Sequence, residues 1–175
     1  MRNIEDYTNQ YLKGGFEDIL VEYRRRKVLE TVNNNVHNKI CEIGCGTEPL
    51  FKYIEEFDEY VLFEPSKQFY DNAVNEAGKL ECKDTICIRN EGFYEQSTKD
   101  FDLIICSGLL HELEDPFEMV GQIKNSCGEK TIVHFNVPNA KSLHRLCALY
   151  AGMISDLEEK SERNITFQQH TVYSM

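Results

Sequence analysis

The stretch Lys39-Ile-Cys-Glu-Ile-Gly-Cys-Gly-Thr-Glu-Pro-Leu50 decides the fold of this chain. Its opening apolar run, residues 40–43, is typical of a short buried strand. Gly44 and Gly46 then allow a tight turn at which the backbone can approach a ligand closely. Pro49 lacks a backbone N–H and therefore suits the first position of a helix. A strand, a glycine turn and a helix in this order predict the nucleotide-binding crossover of an open α/β sheet.

This turn disfavours a dinucleotide. The third glycine of Gly-x-Gly-x-x-Gly would fall at Pro49, and Glu48 places a negative charge where a pyrophosphate would bind. S-adenosylmethionine suits the turn better, because it carries a sulfonium cation and no phosphate. The segment Glu42-Ile-Gly-Cys-Gly-Thr47 resembles the first motif of the class I S-adenosylmethionine-dependent methyltransferases. That motif usually has a third glycine where this chain has Glu48. The alternative interpretation is a plain strand-to-helix turn.

Later segments resemble the other motifs of this family, in the family's order. Asp102–Ser107 and the residues up to Pro116 are similar to its fourth-strand motif, and this resemblance assigns the methionine part of the cofactor to residues 107–109. It also places the adenine at Gly92 and Phe93, although Phe93 has the alternative of a core position. The resemblance covers about residues 38–140. The predicted cofactor-binding residues are Glu42, Gly44, Cys45, Gly46, Glu64, Pro65, Gly92, Phe93, Ser107, Gly108 and Leu109.

Glu64 is the second residue in the sequence that indicates a cofactor site. It closes a predicted strand and follows Gly46 by 18 residues. The end of the second strand lies beside the glycine turn in this architecture, so a carboxylate there can accept hydrogen bonds from both ribose hydroxyls. The alternative is an exposed acidic residue before Pro65.

The rest of the chain alternates between strand and helix patterns. This alternation predicts a doubly wound α/β fold with a mainly parallel sheet covered on both faces, of the Rossmann-like class I methyltransferase type. Ser66 is a predicted helix cap. Strands are predicted at Glu59–Phe63, Asp84–Arg89, Phe101–Cys106 and Lys130–Phe135. Helices are predicted at Glu17 to about Val32, from Pro49 through Phe57, at about 67–78, at Pro116 to about Ser126 and at about Lys141–Ile154. In the helix that begins at Pro116, the side chains of Phe117, Val120 and Ile123 are predicted to face inward.

Composition limits the class of partner. The chain has 175 residues, enough for one domain with a core, and carries a net charge of −11. An acidic chain lacks the basic face that nucleic acid or an anionic membrane requires, so neither is an expected partner. The apolar runs are too short to span a membrane and no signal core precedes them, which predicts a cytoplasmic protein. Seven cysteines without a Cys-x-x-Cys pair predict reduced core residues and no metal site.

Acceptor chemistry is predicted from three segments. His111 follows the fourth strand, on the crevice side of the sheet, and is the candidate general base; the alternative is a histidine bonded to backbone. Asn136, Asn139 and Arg145 lie at the exit of the fifth strand and are predicted to bind a sugar-like or anionic acceptor; the alternative is turn and capping chemistry. The run 24–27, Arg-Arg-Arg-Lys, is predicted as a solvated helix face, with an anion-binding patch as the alternative.

The C-terminal region departs from the family pattern. Relatives continue past the fifth strand with a helix and two more strands, whereas residues 156–175 are polar and then stop. We therefore expect a truncated chain or a natural short form without the C-terminal strands. The fifth strand would then be an exposed edge, which predicts a homodimer through that edge. The predicted division is an N-terminal helical cap, 1–37, and an S-adenosylmethionine-binding domain, 38–175.

These observations predict an enzyme that transfers a methyl group from S-adenosylmethionine to a small polar metabolite such as a sugar derivative. A non-catalytic module that binds the cofactor or another protein is the main alternative, because Glu48 and the short C-terminal region both depart from the family pattern. A nicotinamide-dependent oxidoreductase ranks third, since Glu48 and Pro49 disfavour a pyrophosphate.

Overall fold

The computed structural model describes residues 3–12, 17–94, 100–161, 164–165 and 167–174. These residues form two opening α-helices, followed by five strands and three further α-helices. The helices are α1 (Ile4–Leu12), α2 (Glu17–Asn33), α3 (Lys67–Ala77), α4 (Pro116–Asn125) and α5 (Leu143–Tyr150), and the strands are β1 (Lys39–Ile43), β2 (Glu59–Phe63), β3 (Ile86–Arg89), β4 (Leu103–Ser107) and β5 (Ile132–Asn136).

The five strands form one parallel sheet in the order β3-β2-β1-β4-β5. The chain moves outward from β1 to β3 and then crosses to β4 on the other side of β1. This crossing is the point at which ligands bind in open α/β sheets. The predicted doubly wound, Rossmann-like α/β fold is therefore confirmed, and the sheet is parallel throughout the described strands.

Both faces of the sheet are buried, as the apolar runs predicted. Successive side chains in a strand point to opposite faces. Ile40 accordingly belongs to the core cluster that includes Val28 and Val32 of α2, whereas Cys41 and Ile43 belong to a second cluster on the other face. The sheet is thus held between α2 and α3 on one face and the segment around α4 on the other.

The helix predicted after the glycine turn is much shorter than expected. A single 3-10 turn, Leu50–Tyr53, replaces it, and Pro49 is the extended residue before the turn. Leu50, Phe51 and Ile54 still enter the core, but Ile54 does so from extended backbone. The spacing of the apolar residues in this segment therefore predicted correctly that they are buried, but it predicted a helix that is too long. Four apolar positions in eight residues also fit an irregular buried segment.

The predicted inward face of α4 is also wrong in part. Phe117 is 86% exposed and Val120 is 37% exposed, whereas Ile123 is buried. The buried stripe is instead Met119, Ile123 and Cys127, which follow one another at a spacing of four residues. Both stripes contain Ile123 and both have helical spacing, so the sequence alone did not distinguish them.

The C-terminal part of the sheet ends in an edge. Within the described residues β5 pairs only with β4, and an isolated bridge between Asn139 and Tyr173 is the one strand-like contact after it. The expected lack of the C-terminal strands is therefore confirmed for the described part of the chain. Helix α5 ends earlier than predicted, because Gly152 adopts a left-handed φ of 69° directly after it. The homodimer through β5 stays a prediction.

Candidate active site

A cavity of about 330 Å³ opens at the carboxyl ends of β1, β2 and β4. We call it the strand-end cavity. Its volume lies within the range that small-molecule sites occupy, roughly 300–1,000 Å³. All eleven residues predicted to bind the cofactor line it. The lining also includes residues of α1 and α2, notably Ile4, Tyr7, Tyr11, Arg24 and Arg25, and residues after β4, notably Glu112, Leu113 and Met119.

The glycine turn forms one wall of this cavity. Gly44 and Gly46 adopt φ values of 75° and 57°, which residues with a side chain rarely adopt. The N–H of Gly44 donates to the carbonyl of Phe63 at 2.8 Å and thereby extends the pairing of β1 with β2 into the turn. The two glycines thus let the chain leave the sheet sharply while the turn remains tied to the end of β2.

Glu64 stands opposite this turn, buried at the end of β2. Its Oε1 accepts a hydrogen bond from the N–H of Ser66 at 2.8 Å, and its Oε2 accepts one from the N–H of Cys45 at 3.0 Å. Burial raises the pKa of the Glu64 carboxyl, while these two amides act to lower it. The carboxylate therefore holds the glycine turn against the end of β2. The thiol of Cys45 also donates to Oε2, at 3.6 Å, so Oε1 has fewer protein contacts than Oε2.

Glu42 lies deeper in the same lining and has a different environment. Its Oε2 accepts hydrogen bonds from the hydroxyl of Tyr60 at 2.7 Å and from the N–H of Leu50 at 3.3 Å. Burial raises the pKa of Glu42 to about 8. The protonated form is therefore substantially populated near neutral pH, and the side chain braces the start of the 3-10 turn from inside.

An apolar wall lies near the end of β3. Phe93 is buried and meets Phe63 edge to face, with ring centroids 5.2 Å apart. It is therefore part of the core and also of the cavity lining, and its contact with adenine stays a prediction. The side-chain amide of Asn90 donates to the carbonyls of Glu64 and Pro65 at 2.9 and 3.2 Å, which fixes the loop opposite this wall.

The segment after β4 forms the opposite wall. Gly108 has a φ of 68°, and a Cβ there would lie 3.2 Å from Nη1 of Arg24. The guanidinium of Arg24 therefore lies directly over this glycine. The side-chain amide of Asn136 donates to Oγ of Ser107 at 2.7 Å, so β5 orients a hydroxyl that lines the cavity.

Helix α1, which lies within the predicted N-terminal helical cap, contributes to the lining of the cavity. Buried Thr8 shares a hydrogen bond with Ser66, their hydroxyl oxygens 2.8 Å apart. Tyr11 packs against Phe69 with ring centroids 5.8 Å apart, and Tyr7 and Tyr11 both line the cavity. The two tyrosines are four residues apart and therefore lie on one face of α1, which is the face turned towards the cavity.

The side chains of the basic run in α2 differ in burial, and the predicted alternative of an anion-binding patch stays a prediction. Arg24 and Arg25 line the cavity, whereas Arg26 and Lys27 are exposed. Arg25 pairs with Glu48, and its guanidinium lies 4.2 Å from the ring centroid of Tyr53. The acidic residue that departs from the family motif is therefore paired with a neighbouring cation.

The structure does not bring His111 to the cavity. Its side chain is 1% exposed and is not part of the lining, whereas the next residue, Glu112, is part of it. The 3-10 turn over residues 110–112 directs the two neighbouring side chains differently. The carbonyl of His111 accepts hydrogen bonds from the N–H groups of His170 and Thr171 at 2.7 and 3.2 Å. His111 therefore lies buried behind the lining, next to Glu112, and its role as a general base stays a prediction.

The three predicted acceptor-binding residues also lie outside the lining. Arg145 donates to the carbonyls of Leu157 and Glu159 at 2.9 and 2.5 Å and so ties the C-terminal segment to α5. Asn139 accepts from the N–H of Lys141 at 2.9 Å, which is turn chemistry. Asn136 reaches the site only through Ser107. Arg145 and Asn139 thus make local contacts, and the predicted binding of an acceptor by these three residues stays a prediction.

No helix of the described residues is long and apolar enough to cross a membrane. The same residues contain no group of three or more His, Cys, Asp or Glu side chains arranged to hold a metal ion.

A family model described as a methyltransferase domain matches residues 18–171. The chain belongs to this family. The predicted membership of the class I S-adenosylmethionine-dependent methyltransferases is thereby confirmed at the level of the family, and the sheet order agrees with it. No curated protein matches the chain.

Solved structures with the same fold share little sequence with this methyltransferase domain. The N-methyltransferase NodS from Bradyrhizobium japonicum WM9, in complex with S-adenosyl-l-homocysteine, has 17% identity and a TM-score of 0.55, over 65% of this chain and 60% of that one. The plantazolicin methyltransferase BpumL, in complex with a pentazolic desmethylPZN analog and SAH, has 14% identity and a TM-score of 0.58, over 95% and 62%. The [4+2]-cyclase SpnF has 14% identity and a TM-score of 0.60, over 69% and 46%. The chain thus spans about half to three fifths of the length of these proteins.

Proposed function

We propose that this methyltransferase domain binds S-adenosylmethionine in the strand-end cavity and transfers its methyl group to a small polar molecule bound beside it. The observation that carries this proposal is that Glu64 is hydrogen-bonded directly to the glycine turn and that both line the strand-end cavity. Family membership and the SAH bound in two proteins of the same fold support the choice of cofactor.

The residues present fit this cofactor. The carboxylate of Glu64 would accept hydrogen bonds from the ribose hydroxyls, because it lines the cavity at the end of β2 and carboxylate oxygens accept more than one hydrogen bond each. Phe93 and Pro65 offer apolar surface to the adenine. Arg24, over Gly108, would pair with the carboxylate at the methionine end.

The bound cofactor would supply an electrophilic methyl group on a sulfonium, which is already a good leaving group. The chain therefore needs to position the acceptor and to exclude water. Helix α1 serves the second need, because Tyr7 and Tyr11 cover the cavity and the Thr8–Ser66 contact holds the helix in place.

The acceptor enters the same cavity in this proposal. The volume of about 330 Å³ restricts it to a small molecule or to one end of a larger one. The sugar derivative predicted from the sequence has no support in the lining, because Asn136, Asn139 and Arg145 lie outside it. The acceptor class has to be inferred from the groups that do line the cavity.

A second function is favoured by one specific observation. Glu48 is paired with Arg25 at the position where the family motif has a glycine, and the same fold occurs in the [4+2]-cyclase SpnF. The alternative is therefore a domain that binds the cofactor and does not transfer its methyl group.

Calorimetric titration tests the proposal. S-adenosylmethionine and S-adenosylhomocysteine should bind the chain, NAD should not, and release of S-adenosylhomocysteine should be detected over a panel of acceptors. Cofactor binding without any turnover on that panel would favour the non-catalytic alternative. A folded chain that binds neither compound would overturn both.

A further inference from the structure

A row of hydrogen bonds runs from α2 through β5 to a hydroxyl in the strand-end cavity. Ser107 ends β4 and lines the cavity. The side-chain amide nitrogen of Asn136 lies 2.7 Å from Oγ of Ser107 and 3.3 Å from Nε2 of His134. Nδ1 of His134 in turn lies 2.8 Å from Oγ1 of Thr31 in α2. We call these four side chains the β5 network.

The outer end of the β5 network fixes the tautomer of His134. The hydroxyl of Thr31 donates its proton to the carbonyl of Lys27 at 3.4 Å. The oxygen of Thr31 is therefore left to accept from His134, so Nδ1 carries the ring hydrogen and Nε2 keeps a lone pair. Burial lowers the pKa of His134, which favours this neutral ring.

This tautomer fixes the direction of the remaining hydrogen bonds. Because Nε2 of His134 can only accept, the amide group of Asn136 must face it with its nitrogen, which can only donate. The same nitrogen donates its second hydrogen to Oγ of Ser107. Within the part of the chain that the structure describes, Asn136 is the partner of this hydroxyl, and it cannot take the hydroxyl proton. Since Ser107 lines the cavity, that proton is available to a ligand there.

The sheet order indicates which part of the cofactor would reach Ser107. Glu64 follows β2 and Ser107 ends β4, and β1 lies between the two strands. Neighbouring strands are about 4.8 Å apart, so these strand ends are separated by roughly 10 Å. A cofactor whose ribose is bound by Glu64 would extend its amino acid end across β1 to Ser107 and Gly108. That end carries a carboxylate, which only accepts hydrogen bonds, and an ammonium, which only donates them.

We propose that Ser107 donates a hydrogen bond to the carboxylate of S-adenosylmethionine and that Asn136 and His134 are positioning residues that orient this hydroxyl; this inference rests on the proposed function. A carboxylate uses the proton that the β5 network leaves to the cavity, and a hydrogen bond to a charged oxygen is strong. Asn136 and His134 lie outside the lining, so they would act on the cofactor through Ser107 alone. A hydroxyl that is oriented before the ligand arrives loses less rotational freedom on binding.

The test compares two ligands that differ in the carboxylate. One is S-adenosylhomocysteine, and the other is its decarboxylated analogue, in which an aminopropyl group replaces the amino acid end. Both are titrated by calorimetry into the wild type, Ser107→Ala, Asn136→Leu and the double variant. Ser155→Ala is the control, because Ser155 is exposed, lies outside the lining and donates its hydroxyl to Glu159 at 2.7 Å.

We expect Ser107→Ala to weaken S-adenosylhomocysteine by roughly 10- to 150-fold, the effect of losing a hydrogen bond to a charged group. The decarboxylated analogue should bind Ser107→Ala and the wild type alike, and Ser155→Ala should behave as the wild type. Asn136→Leu should weaken S-adenosylhomocysteine too, and the double variant should bind it as Ser107→Ala does, because Asn136 acts through the hydroxyl. Unchanged S-adenosylhomocysteine binding by folded Ser107→Ala, or an equal loss for both ligands, would overturn the inference. Additive losses in the double variant would overturn the positioning role.

Nitrogen NMR of His134 gives a second readout that needs no variant. At a pH well above the pKa of the ring, the hydrogen should be on Nδ1, and it should stay there in Ser107→Ala. A hydrogen on Nε2 would overturn the inference, because Asn136 would then turn its oxygen towards His134 and Ser107 and would take the hydroxyl proton itself. This measurement decides also where a variant does not fold. Failure of the wild type to bind S-adenosylhomocysteine would instead overturn the proposed function, and this inference with it.

Discussion

Replacing Glu64 with glutamine tests the cofactor site most directly. The carboxylate accepts one backbone N–H on each oxygen, from Ser66 at 2.8 Å and from Cys45 at 3.0 Å. A glutamine has one acceptor oxygen and one NH₂ group, so it can satisfy only one of these amides and turns a donor towards the other. The substitution Glu64→Gln therefore changes the ligand contacts and the support of the glycine turn together.

The size of the expected loss in binding follows from the negative charge that Glu64→Gln removes. A hydrogen bond to a charged group is worth about 1.5–3 kcal/mol, so the loss of the charge at the ribose should weaken S-adenosylhomocysteine binding by roughly 10- to 150-fold. The unpaired backbone amide should lower the free energy of unfolding by about 1–3 kcal/mol. The second effect should be partly offset, because burial raises the pKa of Glu64 and the charged form is itself costly in the fold.

Calorimetry with S-adenosylhomocysteine measures the first effect, and urea unfolding measures the second. The matched control is Glu59→Gln, because Glu59 begins the same strand at its other end and is half exposed there. That variant should bind as the wild type does. A Glu64→Gln protein that is folded and binds S-adenosylhomocysteine with unchanged affinity would refute the assignment of Glu64 to the ribose.

Three further substitutions test other parts of the site. Burial raises the pKa of Glu42 from 4.5 to about 8, so the Glu42 carboxyl binds its proton more tightly in the folded protein than in the unfolded chain. Protonation of Glu42 therefore stabilises the fold fully below about pH 4.5, and this stabilisation is lost as the pH rises through 8. In the wild type, the free energy of unfolding should therefore fall by up to about 1.4 kcal/mol per pH unit between these two pH values, and in Glu42→Gln this fall should be absent. Urea unfolding at several pH values measures it, and the same pH dependence in both proteins would contradict the expectation. Thr8→Val removes the buried bond to Ser66 and should lower the stability of α1 docking by about 1 kcal/mol, measured as lost hydrogen-exchange protection in α1. Gly108→Ala places a Cβ at a φ of 68° and 3.2 Å from Arg24, which should cost about 1–2 kcal/mol of stability and weaken S-adenosylhomocysteine binding in calorimetry, whereas unchanged values would show that the turn adapts.

The cofactor side of the site could be predicted because parallel strands fix it. The end of each strand lies at the same edge of the sheet, so residues such as Gly44, Glu64 and Gly108 meet once the strands are recognised. Short apolar runs bounded by glycine or proline were enough to recognise them. The predicted strands agree with the structure to within about two residues at each end.

The residues that α1 and the turn after β4 contribute to the cavity lining could not be predicted from the same signals. His111 and Glu112 are adjacent, and the local backbone of a 3-10 turn decides which of them faces the cavity. Likewise, Tyr7 and Thr8 reach the site because α1 folds back over strand ends far away in sequence. Such packing depends on complementary surfaces and has no local signature in one sequence.

The carboxylates of the cavity explain why an acidic chain is suited to this cofactor. Four of them, Glu42, Glu48, Glu64 and Glu112, line one space of about 330 Å³. The protein offsets the cost by raising the pKa of Glu42, by pairing Glu48 with Arg25, and by turning backbone amides towards Glu64. In the proposed function, the sulfonium of the methyl donor would add a positive charge to this space and its thioether product would not, so we expect the donor to bind more tightly than the product.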